Sequence, residues 1–221
     1  MKKIFLVLFV FITTNVVAQK KNRHTPVLQK GWYLSFNPHS ILEPEQSAVG
    51  LGVGNRISNK FELWTEINYL YKGFLYEGGG FKNLSGIRSI TSFKYYYSTK
   101  HGFFVGAEFR LKNYSFGDIN TFINKQTNDT LSQFQYTAAH TLIGGGIFWG
   151  KRFKLIANGK FEMEGNIGVG VKQRIINHKH VPDGYSVIEY FVKDRISPIP
   201  ENDIEQTLPY FPAIVRFIYH L

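Results

Sequence analysis

His140 is the best-placed base in this sequence, standing in the stretch TAAHT between Thr137 and Thr141. Acyl-transfer chemistry needs a nucleophile on one side of such a histidine and an orienting carboxylate on the other, within hydrogen-bond reach. No serine stands at a convincing neighbouring position, so His140 is read as a buried, hydrogen-bonded interior histidine. His178 and His180 have the His-x-His spacing that can grip a metal from an extended segment, and Asp183 follows. A zinc site needs further ligands, and none is evident, so this group is read as a solvated loop. Three glycine clusters, at 50–54, 144–146 and 165–170, invite a phosphate-loop reading. That loop requires a strand, a glycine turn and then a helix. Here the glycines lie inside strand-like segments with no helical pattern behind them, where glycine permits bending or close packing. No catalytic residue, metal site or cofactor is assigned.

A stronger chemical signal is alternation. In FFVGAEFRLK at 103–112, Phe103, Val105, Ala107, Phe109 and Leu111 share one parity, and Glu108, Arg110 and Lys112 share the other. Segment 160–175 sets Phe161, Met163, Ile167, Val169, Val171 and Ile175 against Lys160, Glu162, Glu164, Asn166, Lys172 and Arg174. In 60–71, Phe61, Leu63, Ile67, Tyr69 and Tyr71 oppose Glu62, Glu66 and Asn68, and at the end Val215, Phe217, Tyr219 and Leu221 oppose Arg216 and His220. Period-two patterning is the signature of strands with two unlike faces.

These residues belong to eight strand-like segments near 31–37, 47–57, 60–71, 85–98, 102–115, 135–149, 160–175 and 209–221. Ser58-Asn59 and Ser98-Thr99-Lys100-His101 are short connections. PHSILEPEQ, KGFLYEGGGFKN, GDINTFINKQTNDTLSQ and the stretch 176–208 are long ones, and 150–159 interrupts the alternation of lengths. Within 176–208, the apolar VIEYFV is a candidate hairpin that meets a partner, or a lid on the barrel itself. Asp129-Thr130-Leu131 resembles an Asp-Thr-aliphatic O-glycosylation site of some Gram-negative bacteria.

The first residues, MKKIFLVLFVFITTNVVAQ, carry a basic start at Lys2 and Lys3, an apolar run from Ile4 to Ile12, and small residues before Gln19. This is a secretory leader over 1–18, followed by a short extension over 19–30 and the domain at 31–221. No later run reaches the roughly 18 apolar residues of a membrane-spanning helix. The chain has no cysteine, so an exported form is held together without disulfides. Its formal charge is +10. Exported chains rarely meet nucleic acid, which points to anionic lipid headgroups or lipopolysaccharide, unless the lysines simply solvate turns.

A soluble sandwich also alternates, with its apolar parity turned to the core. The leader, the even strand count and the alternating loop lengths favour an eight-stranded antiparallel up-and-down transmembrane barrel with short periplasmic turns and longer extracellular loops. Most segments also match or exceed the roughly 9–11 residues of a crossing strand. Aromatics at the ends of the apolar parity, such as Phe103, Tyr69, Tyr71, Tyr95, Tyr97, Trp149 and Tyr219, suit interfacial girdles. Eight strands leave a lumen just wide enough for side chains to fill. Glu62, Glu66, Arg88, Lys94, Glu108, Arg110, Glu162, Glu164, Lys172, Arg174 and Arg216 then collect inside, where charges must pair.

FKYYYSTKHGFFVGAEFRLKNYSF at 93–116, GGGIFWGKRFKL and GNIGVGV carry a likeness over most of the chain past the leader. It resembles an uncharacterised family of small Gram-negative outer-membrane β-barrels, a domain of unknown function. The resemblance implies an eight-stranded barrel and brings no catalytic signature. Such barrels usually end in Phe. Here Leu221 stands last, and Phe217, Tyr219 and Leu221 form the expected signal for the barrel-assembly machinery. The expectation is a non-enzymatic outer-membrane barrel with an ion-paired lumen and a structural or surface-interaction role, with a protein partner at the surface or in the periplasm left open. The alternatives are an outer-membrane lipid-modifying enzyme and a soluble periplasmic β-sandwich that binds ligands.

Overall fold

A computed structural model describes residues 30–38, 40, 46–72, 82–124, 126–155, 160–187 and 205–221. Ten strands run through them: β1 (Gly31–Phe36), β2 (Gln46–Arg56), β3 (Phe61–Lys72), β4 (Lys82–Ser98), β5 (Phe103–Asn124), β6 (Thr130–Lys154), β7 (Phe161–Lys179), β8 (Tyr185–Val187), β9 (Glu205–Tyr210) and β10 (Ala213–His220). From β1 to β7 each strand pairs antiparallel with the next, and β10 bridges β7 and β1 to close the sheet. The expected eight-stranded up-and-down barrel is the fold, because β9 and β10 are two halves of one wall. β9 pairs with β7 over Gly170 to Ile175, and β10 over Phe161 to Ile167. Phe211-Pro212 separates the halves, since proline offers no N–H to the ladder. The Pro212 carbonyl still accepts from the Gly168 amide at 2.8 Å.

Three strand boundaries differ from expectation. The stretch 117–133, read as a loop, is mostly strand: β5 continues to Asn124 and β6 begins at Thr130. Polar Asn, Thr and Gln residues mask the pattern there, while Phe122 packs edge-on against Phe134 and Tyr136 at 5.7 and 5.1 Å between ring centres. Asn124 Oδ1 accepts from the Gln126 and Thr127 amides, and Asn128 takes a left-handed φ of 56°, so a tight turn suffices. Next, 150–159 continues as β6 through Lys154, leaving a connection of turn length. Lastly, the stretch 176–208 contains the end of β7, all of β8 and the start of β9, with β8 paired to Phe122, Ile123 and Asn124 of β5. Most of VIEYFV, of PHSILEPEQ and of KGFLYEGGGFKN, with the leader and nearly all of the extension, lies outside the described residues.

The short connections, around 57–60, 99–102 and 155–160, share one end of the barrel. At the first, Arg56 Nη2 donates to the Asn59 carbonyl at 2.7 Å and Ser58 Oγ accepts from the Phe61 amide at 3.1 Å. At the second, Gly102 has φ +69°, a left-handed conformation that favours glycine.

Parity decides the two faces. Leu51, Ile67, Ile87, Ile147 and Val171 point outward and are more than half exposed, while Glu62, Lys94, Glu164 and Arg216 point inward and are buried. A sandwich is thereby ruled out: the sheet closes on itself, and its charged parity is the inner one. The lumen is layered. An ionic layer sits at the turn end, and an apolar cluster including Ala48, Leu70, Phe116, Phe122 and Tyr136 fills the loop end. Aromatic rings lie over glycines of adjoining strands, with Tyr33 over Gly54, Trp64 over Gly52 and Tyr210 over Gly170.

Gly54→Val should therefore lower the stability of the folded barrel, read from its urea midpoint, by about 1–3 kcal/mol, the usual cost of overpacking. Gly165→Ala, whose added carbon meets nothing within 4 Å, should change it by less than about 0.5 kcal/mol. Equal midpoints for Gly54→Val and the native chain would contradict this packing.

Candidate functional site: the charged lumen

Cross-strand register brings the ionic layer together. Glu62 of β3 stands opposite Lys94 of β4, and Glu164 of β7 stands opposite both Arg152 of β6 and Arg216 of β10. Lys94 Nζ lies 2.8 Å from Glu62 Oε1 and 2.8 Å from Glu164 Oε2. Arg152 Nη2 lies 2.6 Å from the same two oxygens, and its Nη1 is 3.6 Å from Glu162. Arg216 Nη1 is 3.4 Å from Glu164 Oε1, and His220 Nε2 is 2.9 Å from Glu162 Oε2. Tyr33 and Tyr96 donate to the two oxygens of Glu62, at 2.5 and 3.1 Å. Guanidinium planes cover aromatic faces: Arg216 lies 3.6 Å above Trp64, and Arg56 lies 4.0 Å above Tyr96.

Three carboxylates thus meet Lys94, Arg152 and Arg216 in the buried lumen. An ion leaving water loses several kcal/mol of hydration, and only close, multiply hydrogen-bonded partners return it. Glu62 accepts from Tyr33, Tyr96, Lys94 and Arg152, which occupies its acceptor capacity. Such a carboxylate is poorly suited to proton transfer, which needs a reactant within reach. It ties β3 to β1, β4 and β6, and Glu164 and Glu162 of β7 carry the network on to β10 through Arg216 and His220.

The remaining expected lumen residues form looser groups. Arg110 Nε donates to Glu108 Oε1 at 2.7 Å, and Tyr210 of β9 donates to the same oxygen at 2.8 Å. Asn68 donates to Glu66 at 2.6 Å, and Arg88 donates to Ser40 at 2.6 Å. Lys172 and Arg174 are half-buried on β7, with Arg110 as another charged neighbour of Lys172, and do not join the ionic layer. Phe217 and Tyr219 point outward, Tyr219 packing on Phe161 at 4.9 Å, and Leu221 is exposed. His140 is buried, with Nδ1 3.0 Å from the Tyr114 hydroxyl. His180 and Asp183 are exposed, and the His178 side chain lies outside the described residues.

Arg152, Arg56, Tyr33, Tyr96 and His220 are parts of the layer that the candidate set lacks. Arg152 has the parity of Phe148 and Gly150, so carrying the alternation of β6 four residues further would have found it. The aromatic donors carry no comparable signal, because an interior tyrosine and a girdle tyrosine look alike in sequence.

Beyond the wall, β5 and β6 form an arm past the Gly117–Thr137 pair, where β4 and β7 stop pairing with them. Tyr185 of β8 donates to Asp129 Oδ2 at 2.5 Å, and this bond raises its phenol above the ordinary tyrosine range. Thr130 is exposed at the arm's tip, its amide donating to Asp129 Oδ1 at 2.9 Å.

Arg152→Met should destabilise the folded barrel by about 3–5 kcal/mol, because it leaves the three buried carboxylates Glu62, Glu162 and Glu164 with Lys94 and Arg216 as their cations. Arg110→Met, whose parent side chain keeps 22% exposure, should cost clearly less. Urea midpoints of the refolded variants check the order, and equal losses would refute a dominant role for Arg152.

Compared with protein-family models, with curated proteins and with solved structures, the chain matches none.

Proposed function

We propose that this protein is a non-enzymatic outer-membrane β-barrel, sealed to ions by its own side chains, with a structural or surface-interaction role. The observation that carries the reading is the inversion of the two faces. Ionised groups are buried inside, while residues such as Leu51, Ile147 and Val171 stand outside at more than 60% exposure. Monomeric soluble proteins rarely show contiguous apolar patches beyond a few hundred Å². A hydrocarbon surrounding removes that cost, and it demands a sheet without free edges.

The sealed lumen supports a role at the surface over one in transport. The loop end offers protein surface for recognition, and the arm of β5 and β6 rises there with β8 braced against it. At about 3.3 Å per residue, the seven residues from Gly117 to Asn124 carry its tip roughly 20 Å of strand past the points where β4 and β7 stop pairing with it. Its counterparts are lipopolysaccharide, outer-membrane lipids or a protein at the cell surface, and the barrel-assembly machinery would read Phe217, Tyr219 and Leu221. The likeness to the uncharacterised outer-membrane barrel family agrees with this reading.

Two experiments test it. The chain has no cysteine, so single cysteines report topology cleanly. Gln126→Cys on the arm should react with an impermeant maleimide on intact cells, and Lys100→Cys at the opposite end should react only after lysis. In planar bilayers, the native protein and a Glu108→Ala, Arg110→Ala double variant should both lack large, stable channels, since the ionic layer survives in each. Stable channels in the native protein would overturn the sealed reading. An altered lipid A acyl pattern in a deletion strain would replace it with a lipid-modifying enzyme.

A further inference from the structure

The outer wall between β4 and β7 is not uniform. Near the turn end, successive rows of outward residues can be followed across the strands by register. One row runs Tyr95, Val105, Trp149, Ile167, and the next runs Phe93, Ala107, Ile147, Val169. Ala107 is the smallest side chain in either row. The hollow above it is a groove of about 630 Å³, walled by these side chains and floored by Gly106 and Gly168. Its lining is almost wholly apolar.

The row on the turn side continues as Phe103, Lys151 and Gly165. Lys151 Nζ sits 4.7 Å from the ring centres of both Phe103 and Phe153, which hold the ammonium at the edge of the groove. It has no carboxylate partner among the described residues. Beside it, a carbon added to Gly165 would meet nothing within 4 Å, so the wall is notched there. Lys151 is half-buried, and the exposed lysines of this end, Lys30, Lys60, Lys100 and Lys160, share it with no exposed acid among the described residues.

We propose that this face binds one phospholipid with an anionic headgroup, an acyl chain lying in the groove over Ala107 and the phosphate at Lys151 above the Gly165 notch. The proposal rests on the membrane reading given above. An apolar trough that ends at a cation matches a molecule with a long hydrocarbon tail and a negative head. The aromatic residues Tyr95 and Trp149 stand at the depth where such rings meet headgroups. Recognition is of the headgroup charge together with the chain, so a zwitterionic lipid with the same chains should bind more weakly.

Trp149 is a reporter inside the site. Trp64 is buried in the lumen, and Trp32→Phe removes the other outward indole. That variant, refolded into phosphatidylcholine vesicles, is titrated with brominated phosphatidylglycerol or brominated phosphatidylcholine, and Trp149 fluorescence is followed. Phosphatidylglycerol should quench as though enriched roughly fivefold over its bulk fraction, the scale set by one basic residue at an anionic surface. Lys151→Gln should abolish the enrichment, Ala107→Phe should reduce quenching by either lipid, and Lys100→Gln should leave the enrichment unchanged. Equal quenching by the two lipids, or enrichment that survives Lys151→Gln, overturns the site while leaving the membrane reading intact. No quenching by either lipid overturns both.

Discussion

The sheet closes through four register pairs between β1 and β10, from Tyr33↔His220 to Phe36↔Phe217. This is the shortest ladder of the barrel wall, and the closed barrel depends on it. Each flank of the seam is bound from inside. Tyr33 reaches Glu62 on β3, His220 reaches Glu162, and Arg216 reaches Glu164 on β7. The ionic layer is placed where backbone pairing is thinnest, so lumen electrostatics and sheet closure support one another. A hydrogen-bonded ladder without these cross-lumen ties would leave its weakest joint held by four residues of β1.

An interior this narrow must also be filled, and charges alone fill it poorly. The chain meets this by setting large rings against missing side chains. Tyr33, Trp64 and Tyr210 each lie over a glycine of another strand, so the bulk of one residue occupies the space vacated by its neighbour. Interiors pack to nearly crystalline density, and a misplaced methyl group is felt there. Gly52 and Gly54 of the first glycine cluster and Gly170 of the last are therefore parts of the lumen packing. The loop-end apolar cluster completes the filling.

The arm and the groove on the outer wall differ in kind. The arm is an extension of two wall strands, stiffened by β8 and by the Tyr185–Asp129 bond, and it presents polar residues such as Gln126 and Thr130 at its tip. The groove at Ala107 is shallow and apolar, with one cation at its end. Both arise from the same closed barrel.

Alternation alone determined the strand faces. Glu108, Arg110, Glu162 and Glu164 turn inward, and Phe109, Ile167 and Val169 turn outward, because a strand has period two and no helical alternative fits these segments. The even strand count and the short connections at Ser58 and Lys100 were legible for the same local reason. Strand ends in polar sequence were not, since β5 past Gly117 is held by rings from β6 and by β8, which are distant in sequence or hidden by Asn and Thr. Nor did the sequence reveal which charges meet. Register across six strands decides that Arg152 serves Glu62 and Glu164 while Lys172 stands apart, and register is a property of the closed sheet. Local pattern chose the side of the wall for each residue, and only closure chose its partners.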